Sequence, residues 1–252
     1  MAWHSKDYYG FELTNPTELT QAQENADEIG RIFTTAGFTI NAISVLVGCF
    51  YGEAKLNPWC WEEAYSSAQV PSYSEYQNWS AGESANHGYG LPQFTPASEY
   101  IANAASYNGY APHFRDIAGN ATDGEAQTQY IADTIEAQWF HADYLYDYYA
   151  EPFAALDPPI NISAGWNLSF NDFKTNESID LETLTLAYLL NYGRGAAAMA
   201  NRFYPDYYSD TLLGGGSRYW YEYFTGHPPT PGPSPSTAKK MPLWMMLKRQ
   251  IY

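Results

Sequence analysis

The sequence predicts a mainly α-helical fold, followed by a proline-rich linker and a short C-terminal peptide. Apolar residues recur at the three- and four-residue spacing of helices through much of residues 29–191. The stretches between these segments, such as 80–90 and 157–170, are rich in Gly, Asn and Ser and too irregular for a large sheet. We therefore expect at most one small β-hairpin. With 252 residues, 45% of them hydrophobic, the chain can bury one core.

Two helices joined by a tight turn are predicted near the N-terminal end. The apolar residues of 29–36 fall on one face of a first helix, which ends at Gly37. A second helix carries its apolar residues through 42–50, and either Thr39 or Asn41 can cap its first turn. Because the turn is short, we expect the two helices to lie antiparallel.

Three further helices are predicted downstream. They span residues 95–105, 125–149 and 181–191, where apolar side chains again recur on one face. Asp172 and Asp180 are suitable N-cap residues, because a short carboxylate can accept the unpaired N–H groups of a first helical turn.

The organisation of the chain changes sharply after the helical part. Five prolines lie between Gly226 and Ser236, and such a run favours an extended spacer over helix or sheet. The segment beyond is apolar and basic, which suits docking on a partner protein or a membrane surface; a disordered tail is the alternative. We therefore divide the chain into an N-terminal arm (1–20), a helical domain (21–224), a linker (225–238) and a docking peptide (239–252).

The composition argues against several classes of function. The formal net charge is −16, and four of the twelve cations lie in the last fourteen residues, so the first 238 residues carry −20. Phosphate backbones repel such a body, and we expect no nucleic-acid binding. Apolar runs reach only about seven residues, too few to span a bilayer, and no secretory signal is recognisable. The 24 Tyr, 12 Phe and 8 Trp exceed what one core needs, which suits contacts with sugars or proteins.

Most kinds of catalytic site lack the residues that they need. The five histidines are scattered without the paired spacing of a metal site, so no metal or other cofactor is expected. Gly214–Gly216 is not followed by the Lys-Ser or Lys-Thr of a phosphate loop. Neither Cys49 nor Cys60 opens a helix, as an activated thiolate usually requires. These two residues form either a disulfide or a pair of buried thiols.

Carboxylate chemistry remains, and the sequence context selects Glu53. This residue follows the apolar stripe of the second predicted helix, close to its end, and Phe50, Tyr51 and Leu56 flank it. Burial beside apolar side chains raises the pKa of a carboxyl group, which a general acid at neutral pH requires. A solvated glutamate paired with Lys55 is the alternative interpretation.

Three blocks of the sequence occur in a characteristic order. They are Thr35-Ala36-Gly37-Phe38-Thr39 leading to Gly52-Glu53-Ala54 and Trp61-Glu62, then Gly88-Tyr89-Gly90-Leu91-Pro92-Gln93-Phe94-Thr95-Pro96, and finally Asn191-Tyr192-Gly193-Arg194 with the stretch 202–208. Over about residues 21–213 the chain thereby resembles the phage tail lysozyme family, the virion-associated peptidoglycan hydrolases of bacterial viruses.

The resemblance implies a lysozyme-like helical fold and cleavage of the glycan strands of bacterial peptidoglycan during genome entry, by a protein carried in the phage tail. It makes Glu53 the catalytic acid. It places Gln93 and the backbone of residues 90–94 along the cleft, in reach of N-acetyl groups, and suggests that Tyr89 and Tyr192 pack on sugar faces. The alternative is a loop that only supports the helix carrying Glu53. The peptide 239–252 would then bind a neighbouring tail protein.

The sequence departs from the family pattern at three places, none of which removes the acid. Ala54 replaces the usual Ser after the catalytic Glu, and Phe94 replaces the usual Trp of the glutamine segment. In the last block Gly193 and Gly195 flank Arg194, where the family usually has an acid and a proline. We still expect activity.

The second carboxylate and the reaction type stay open at this point. Glu62, Glu63 and Glu83 are candidates, and the sequence selects none of them. A lytic transglycosylase would use the same acid without water, and an inactive plug or binding module of a tail would need no chemistry at all. The presence of both Glu53 and Gln93 favours an enzyme over an inactive module, and the family resemblance favours hydrolysis over transglycosylation.

Overall fold

The computed structural model describes residues 3–80, 87–141, 143–155, 159, 161–193 and 216–230. In these ranges the backbone is mainly helical, and residues pair as in a sheet only at isolated bridges. Tyr89 and Phe94 form one such bridge and close a hairpin-like turn. The predicted fold class is confirmed.

The α-helices are numbered in chain order. They are α1 (Pro16–Thr35), α2 (Ile40–Ala54), α3 (Tyr73–Ser80), α4 (Ala97–Asn103), α5 (Asp123–Gln138), α6 (Asp143–Ala154), α7 (Ser163–Trp166), α8 (Phe170–Thr175), α9 (Leu181–Tyr188) and α10 (Ser217–Gly226). Single 3₁₀ turns cover Ser67–Gln69 and Ala104–Ser106. A wider π-helical turn, Leu189–Gly193, extends α9.

The α1–α2 hairpin forms as the sequence predicts. Gly37 follows α1 with a φ of +86°, a conformation that glycine adopts without strain. Thr39 caps α2, because its hydroxyl accepts the N–H of Ala42 at 3.3 Å. Asn41, the other candidate cap, donates its amide to two carbonyl groups of the α8–α9 loop instead. Helix α1 begins at Pro16, well before the apolar residues 29–36 from which it is predicted. Asn15 caps its first turn.

Helix α2 is the centre of the main core. All of its residues from Ala42 to Tyr51 are buried, and α1, α9 and α10 pack around it. Gly48 allows α10 to approach closely, since a Cβ atom at this position would lie 2.6 Å from the backbone nitrogen of Ser217. Trp220 of α10 is completely buried. The core therefore includes residues close to the predicted domain end.

A second cluster of buried side chains is dominated by aromatic rings. Its members are Trp61, Ala64, Val70, Tyr76, Tyr89, Ala97, Tyr100, Ala104, Phe114 and Tyr130. The rings of Phe94 and Tyr100 stack at its edge with centroids 4.6 Å apart. Much of the aromatic excess of the sequence thus fills a core and not a binding surface.

The helix predicted over residues 125–149 is two helices, α5 and α6. Trp139 ends α5, and its indole N–H donates to the carbonyl of Leu168 at 3.1 Å. The backbone N–H of Phe140 donates to the carbonyl of Asn191 at 3.1 Å. These bonds keep residues 139 and 140 in a non-helical conformation. Their partners lie far away in sequence, so the local periodicity gives no sign of the break.

One predicted N-cap is confirmed and another is wrong. Asp180 caps α9 by accepting the N–H of Thr183 at 2.8 Å. Asp172 lies inside the first turn of α8, and the cap is Ser169, whose hydroxyl accepts the N–H of Asp172 at 3.0 Å. The carboxylate of Asp172 accepts the Ser169 hydroxyl in return at 2.7 Å, so the pair supports the same helix end.

The N-terminal residues pack on the helical domain. We call residues 3–15 the N-terminal strap; they precede α1, which begins at Pro16, and they contain no helix. Trp3 and Phe11 of the strap are buried in the main core. This part of the predicted arm is therefore an integral piece of the fold.

Helix α10 ends at Gly226, and residues 227–230 continue without helical structure. The rest of the predicted linker (231–238) and the predicted docking peptide (239–252) lie outside the described residues. Among the residues that are described, no helix is long and apolar enough to cross a membrane.

Candidate active site

Glu53 lies in the last turn of α2, one residue before the helix ends at Ala54, and its side chain is half-buried. The next two residues, Lys55 and Leu56, both have left-handed backbones with φ of +50° and +57°. They turn the chain away from the helix directly after the carboxylate. The ammonium of Lys55 lies over the ring of Tyr51, 4.5 Å from its centroid.

Three buried side chains lie close enough to Glu53 to respond to its charge. Burial raises the pKa of the Cys49 thiol, and the charge of Glu53 adds to the rise. The same two causes raise the pKa of the Cys60 thiol to about 12. Burial also raises the pKa of the Tyr188 hydroxyl, with contributions from Cys49, Tyr192 and Glu53. The carboxyl group therefore lies beside side chains that carry no charge at neutral pH.

Both cysteines are free, buried thiols in the structure. The disulfide, one of the two alternatives that the sequence left open, is not formed. The thiol of Cys60 lies 3.8 Å from the carbonyl oxygen of Trp61 and donates a weak hydrogen bond to it.

The turn at residues 89–94, which we call the glutamine turn, lies against the segment that follows α2. The backbones of Tyr89 and Phe94 exchange hydrogen bonds of 3.2 and 2.9 Å. The N–H of Gly90 donates to the carbonyl of Cys60 at 2.8 Å. Gly90 has a φ of +79°, and a Cβ atom there would lie 2.3 Å from the side-chain oxygen of Gln127, so only glycine fits this turn.

Gln93 holds the same turn from its other end. Its side-chain amide donates to the carbonyl of Cys60 at 3.1 Å and to the carbonyl of Gly90 at 3.0 Å. These bonds use both N–H groups of the amide. The structure thus places both Gln93 and Glu53 near Cys60. Because the amide N–H groups of Gln93 are used, its side-chain oxygen is the atom that can accept a hydrogen bond from a substrate.

A buried polar side chain that sequence patterns did not reveal supports this arrangement. Gln127 of α5 is completely buried. Its oxygen accepts the N–H of Leu91 at 2.7 Å, and its amide donates to the carbonyl of Pro58 at 2.7 Å. Gln127 therefore ties the glutamine turn to the chain that leaves α2. The available signal was the spacing of Asp123 and Gln127, which are one helical turn apart on a single face.

Asp123 is the acceptor at the centre of this network. It receives the amide of Gln127 at 2.7 Å, the hydroxyls of Tyr89 and Tyr100 at 3.0 and 2.8 Å, and the backbone N–H of Ala111 at 3.2 Å. Burial raises the pKa of this carboxyl group, and the four hydrogen bonds oppose that rise.

The structure corrects the predicted role of Tyr89. Its side chain has no exposed surface, and its hydroxyl both donates to Asp123 and accepts the N–H of His113 at 3.0 Å. A sugar cannot stack on a ring that is enclosed by protein. Tyr89 is a structural residue of the aromatic core, since its hydroxyl finds two partners there.

Tyr192 occupies a more open position. It lies in the π-helical turn after α9 and is half-buried. Its ring packs on Tyr188 with centroids 5.4 Å apart, and Tyr188 in turn lies near Glu53. The predicted residues Glu53, Gln93 and Tyr192 are thus brought together around Cys60 and Tyr188. The neighbouring Arg194 lies outside the described residues.

The other candidate carboxylates have different surroundings. Glu62 is exposed and accepts the N–H of Gly88 at 2.7 Å, so it supports the glutamine turn as a cap. Glu63 is exposed, and Glu83 lies outside the described residues. Within the described part of the chain, no group of three or more His, Cys, Asp and Glu side chains could hold a metal ion.

The model of the phage tail lysozyme family matches residues 24–204, more than two thirds of the chain. The match includes α2 with Glu53, the glutamine turn and the π-helical turn with Tyr192. A comparison with curated proteins found no match. The chain therefore belongs to the phage tail lysozyme family, and it is a lysozyme-like phage tail protein that acts on peptidoglycan.

Proposed function

We propose that this protein is a glycoside hydrolase of the phage tail that cleaves the glycan strands of bacterial peptidoglycan, with Glu53 as the general acid. One observation carries the proposal. A half-buried carboxyl group at a fixed helix end lies beside the uncharged Cys49, Cys60 and Tyr188, in a chain that the lysozyme family model matches. Partial burial beside uncharged side chains is the kind of setting in which a carboxyl group keeps its proton more readily than in water, as a general acid must.

The chemistry requires a proton at the leaving oxygen. A glycosidic bond breaks through a transition state in which the sugar carries positive charge, and protonation of the leaving oxygen makes this possible. We propose that Glu53 donates that proton. The carboxylate that forms then lies close to the positively charged sugar and stabilises it.

We propose Gln93 and Tyr192 as substrate contacts. Gln93 keeps its amide on two backbone carbonyls, which leaves the side-chain oxygen to accept an N–H of an N-acetyl group. Tyr192 can pack a face of its half-exposed ring on a sugar. We assign no second catalytic carboxylate, since Glu62 caps the glutamine turn.

The acid assignment is tested with Glu53→Gln in the full-length protein. Glutamine keeps the shape of the side chain but cannot donate an acidic proton, so degradation of purified peptidoglycan should fall by at least about a hundredfold. The matched control is Glu136→Gln, the same change at an exposed position of α5, which should keep wild-type activity. Equal melting temperatures of the three proteins show that folding is intact. Near-wild-type activity of Glu53→Gln contradicts the assignment.

The reaction type is tested by mass spectrometry of the products. A hydrolase leaves reducing ends, because water attacks the sugar. A lytic transglycosylase leaves 1,6-anhydro ends, because the sugar's own hydroxyl attacks. We expect reducing ends; anhydro products would replace hydrolysis with transglycosylation and leave the role of Glu53 intact.

We further propose that the tail delivers the enzyme to the wall at genome entry and that residues 239–252 bind a neighbouring tail protein. The segment combines four cations with the apolar residues Leu243, Trp244, Met246 and Leu247, whereas the rest of the chain is strongly acidic. Five prolines separate it from the helical domain. It therefore suits a partner more than the catalytic core.

A further inference from the structure

The N-terminal strap crosses the end of α2 directly after Glu53. The N–H of Phe11 donates to the carbonyl of Lys55 at 3.1 Å. Gly10 lies against the same turn so closely that a Cβ atom there would be 2.1 Å from the Cβ of Lys55 and 2.4 Å from the carbonyl oxygen of Ala54. No side chain fits in that space without moving the residues next to Glu53.

We propose that the N-terminal strap positions Glu53 for catalysis, with Gly10 as the positioning residue that sets the end of α2. The inference rests on the role of Glu53 in the proposed function. The strap precedes the part of the chain that the family model matches, which begins at residue 24.

The backbone after Glu53 needs such support. Lys55 and Leu56 both have positive φ, a conformation that residues with a Cβ atom adopt at a cost and keep only where contacts hold them. Phe11 of the strap binds the carbonyl of Lys55. The carbonyl of Leu56 accepts the amide of Asn25 at 2.9 Å, and the same amide donates to the strap carbonyl of His4 at 2.9 Å.

A second asparagine joins the strap to the next residues of the chain. The oxygen of Asn57 accepts the backbone N–H groups of Lys6 and Trp59, each at 3.1 Å. Its amide donates to the carbonyl of Lys6 at 3.0 Å and to the carbonyl of Tyr9. Asn57 is completely buried, so water does not compete for these bonds. The chain that leaves Glu53 is thus bonded to the strap at three successive positions, 55, 56 (through Asn25) and 57.

The strap is itself anchored away from Glu53. The ammonium of Lys6 donates to the carbonyl of Gly10 at 3.0 Å and to the carboxylate of Glu18 in α1 at 3.1 Å. The ring of Trp3 lies against Gly124 at the start of α5, where a Cβ atom would approach it to 2.4 Å. A displacement of Gly10 therefore moves the end of α2 relative to α1 and α5.

The test uses the full-length protein with Gly10→Ala. Its matched control is Gly226→Ala, where the added methyl group meets no atom within 4 Å in the part of the chain that the structure describes. We expect kcat of Gly10→Ala to fall by about tenfold or more, because small errors in the placement of a catalytic group are costly. KM should stay unchanged, since Gln93 and Tyr192 are not touched. The alkaline limb of the kcat pH profile should shift, because activity is lost there as the general acid Glu53 deprotonates and the surroundings of Glu53 change.

A second variant keeps the test decisive if the added methyl group prevents folding. Lys6→Met removes the bonds to Gly10 and Glu18 without placing an atom against α2. Lys174→Met is its control, because Lys174 lies over the ring of Phe38 on a different face. We expect Lys6→Met to lower kcat less than Gly10→Ala and to shift the pH profile in the same direction.

The outcomes separate the two proposals. Wild-type kcat and pH profile in the folded Gly10→Ala and Lys6→Met proteins, beside an inactive Glu53→Gln, overturn the strap proposal and leave the proposed function standing. A lower melting temperature with unchanged kcat also overturns it, since the strap would then serve stability alone. An active Glu53→Gln overturns the proposed function, and the strap proposal falls with it.

Discussion

The hydroxyl of Tyr89 donates a hydrogen bond of 3.0 Å to the carboxylate of Asp123, and neither side chain has any exposed surface. The bond joins the glutamine turn to the first turn of α5. Through Gln127 the same network reaches the carbonyl of Pro58 in the segment that leaves α2. The geometry around Glu53 therefore depends on polar groups that no substrate touches.

Asp123→Asn should destabilise the protein by about 2–4 kcal/mol. Each oxygen of Asp123 accepts an N–H group, from Ala111 on one side and from Gln127 on the other, so an asparagine amide faces a donor in either orientation. Urea unfolding measures the change. Asp133→Asn is the matched control at an exposed position of α5 and should change stability little. Equal losses in the two variants would contradict the network's role.

Gly48→Ala should destabilise the protein by about 1–3 kcal/mol. Its methyl group would meet the backbone of Ser217 at 2.6 Å and push α10 away from α2. Gly52→Ala, one turn later in α2, meets no atom of the described residues within 4 Å and should stabilise the helix by up to about 1 kcal/mol. Thermal unfolding of the two variants gives the comparison. Similar melting temperatures would show that α10 does not depend on contact at Gly48.

The stability of the protein should depend on pH through His113. Burial lowers the pKa of this side chain, although the charge of Asp7 opposes the effect. The unfolded chain thus binds a proton more readily than the folded protein, so this contribution to stability is present above the ordinary histidine pKa and is lost as the pH falls through the lower folded value. Protonation also removes the acceptor for the N–H of Gly119.

His113→Asn keeps a hydrogen-bond acceptor but cannot titrate. Its unfolding free energy should fall less than that of the wild type between about pH 7.5 and pH 5, a range that spans histidine titration. His227→Asn, the same change at an exposed position, should follow the wild type. A steeper fall in His113→Asn than in the wild type would reverse the sign of the expected effect.

The two thiols should be unreactive in the folded protein. Burial, together with the charge of Glu53, raises the pKa values of Cys49 and Cys60, which keeps both residues in the protonated form that reacts poorly. A thiol reagent should label none in native buffer and two in denaturant. Reducing agent should leave the melting temperature unchanged. A drop in melting temperature on reduction would show that a disulfide forms in solution.

Deletion of residues 239–252 should separate catalysis from assembly. The truncated protein should degrade purified peptidoglycan at the wild-type rate, because the segment lies beyond the proline-rich linker. Its incorporation into phage particles should fall, as measured by immunoblotting of purified virions. Loss of activity in the soluble protein, or unchanged incorporation, would contradict the proposed docking role.

Local signals predicted much of this fold. Gly37 and Thr39 mark the turn and the cap of the first hairpin, and both act through neighbouring backbone groups, which a sequence pattern captures. The prediction of Glu53 also depends on a local signal, because its place at the end of an apolar helix is visible in the sequence. In the structure its side chain is half-buried.

The features that the sequence did not indicate depend on distant partners. From the sequence alone, Tyr89 is a candidate for contact with a sugar. In the structure its hydroxyl binds the buried carboxylate of Asp123, which lies 34 residues away in sequence. The strap was assigned to a separate arm, because its bonds to Asn57 span 51 residues. Periodicity and capping rules describe neighbours within a turn or two of helix, so they carry no information on such pairs.

The position of α10 has a consequence for folding during translation. Gly48 and Ser217 touch across about 170 residues of chain, and contacts of such long separation form slowly. Helix α2 emerges early, with an apolar surface on every side and no cover for the face that Trp220 will occupy. That face stays exposed until α10 has been translated, so the nascent chain carries an uncovered, aggregation-prone apolar surface during the synthesis of the residues between α2 and α10.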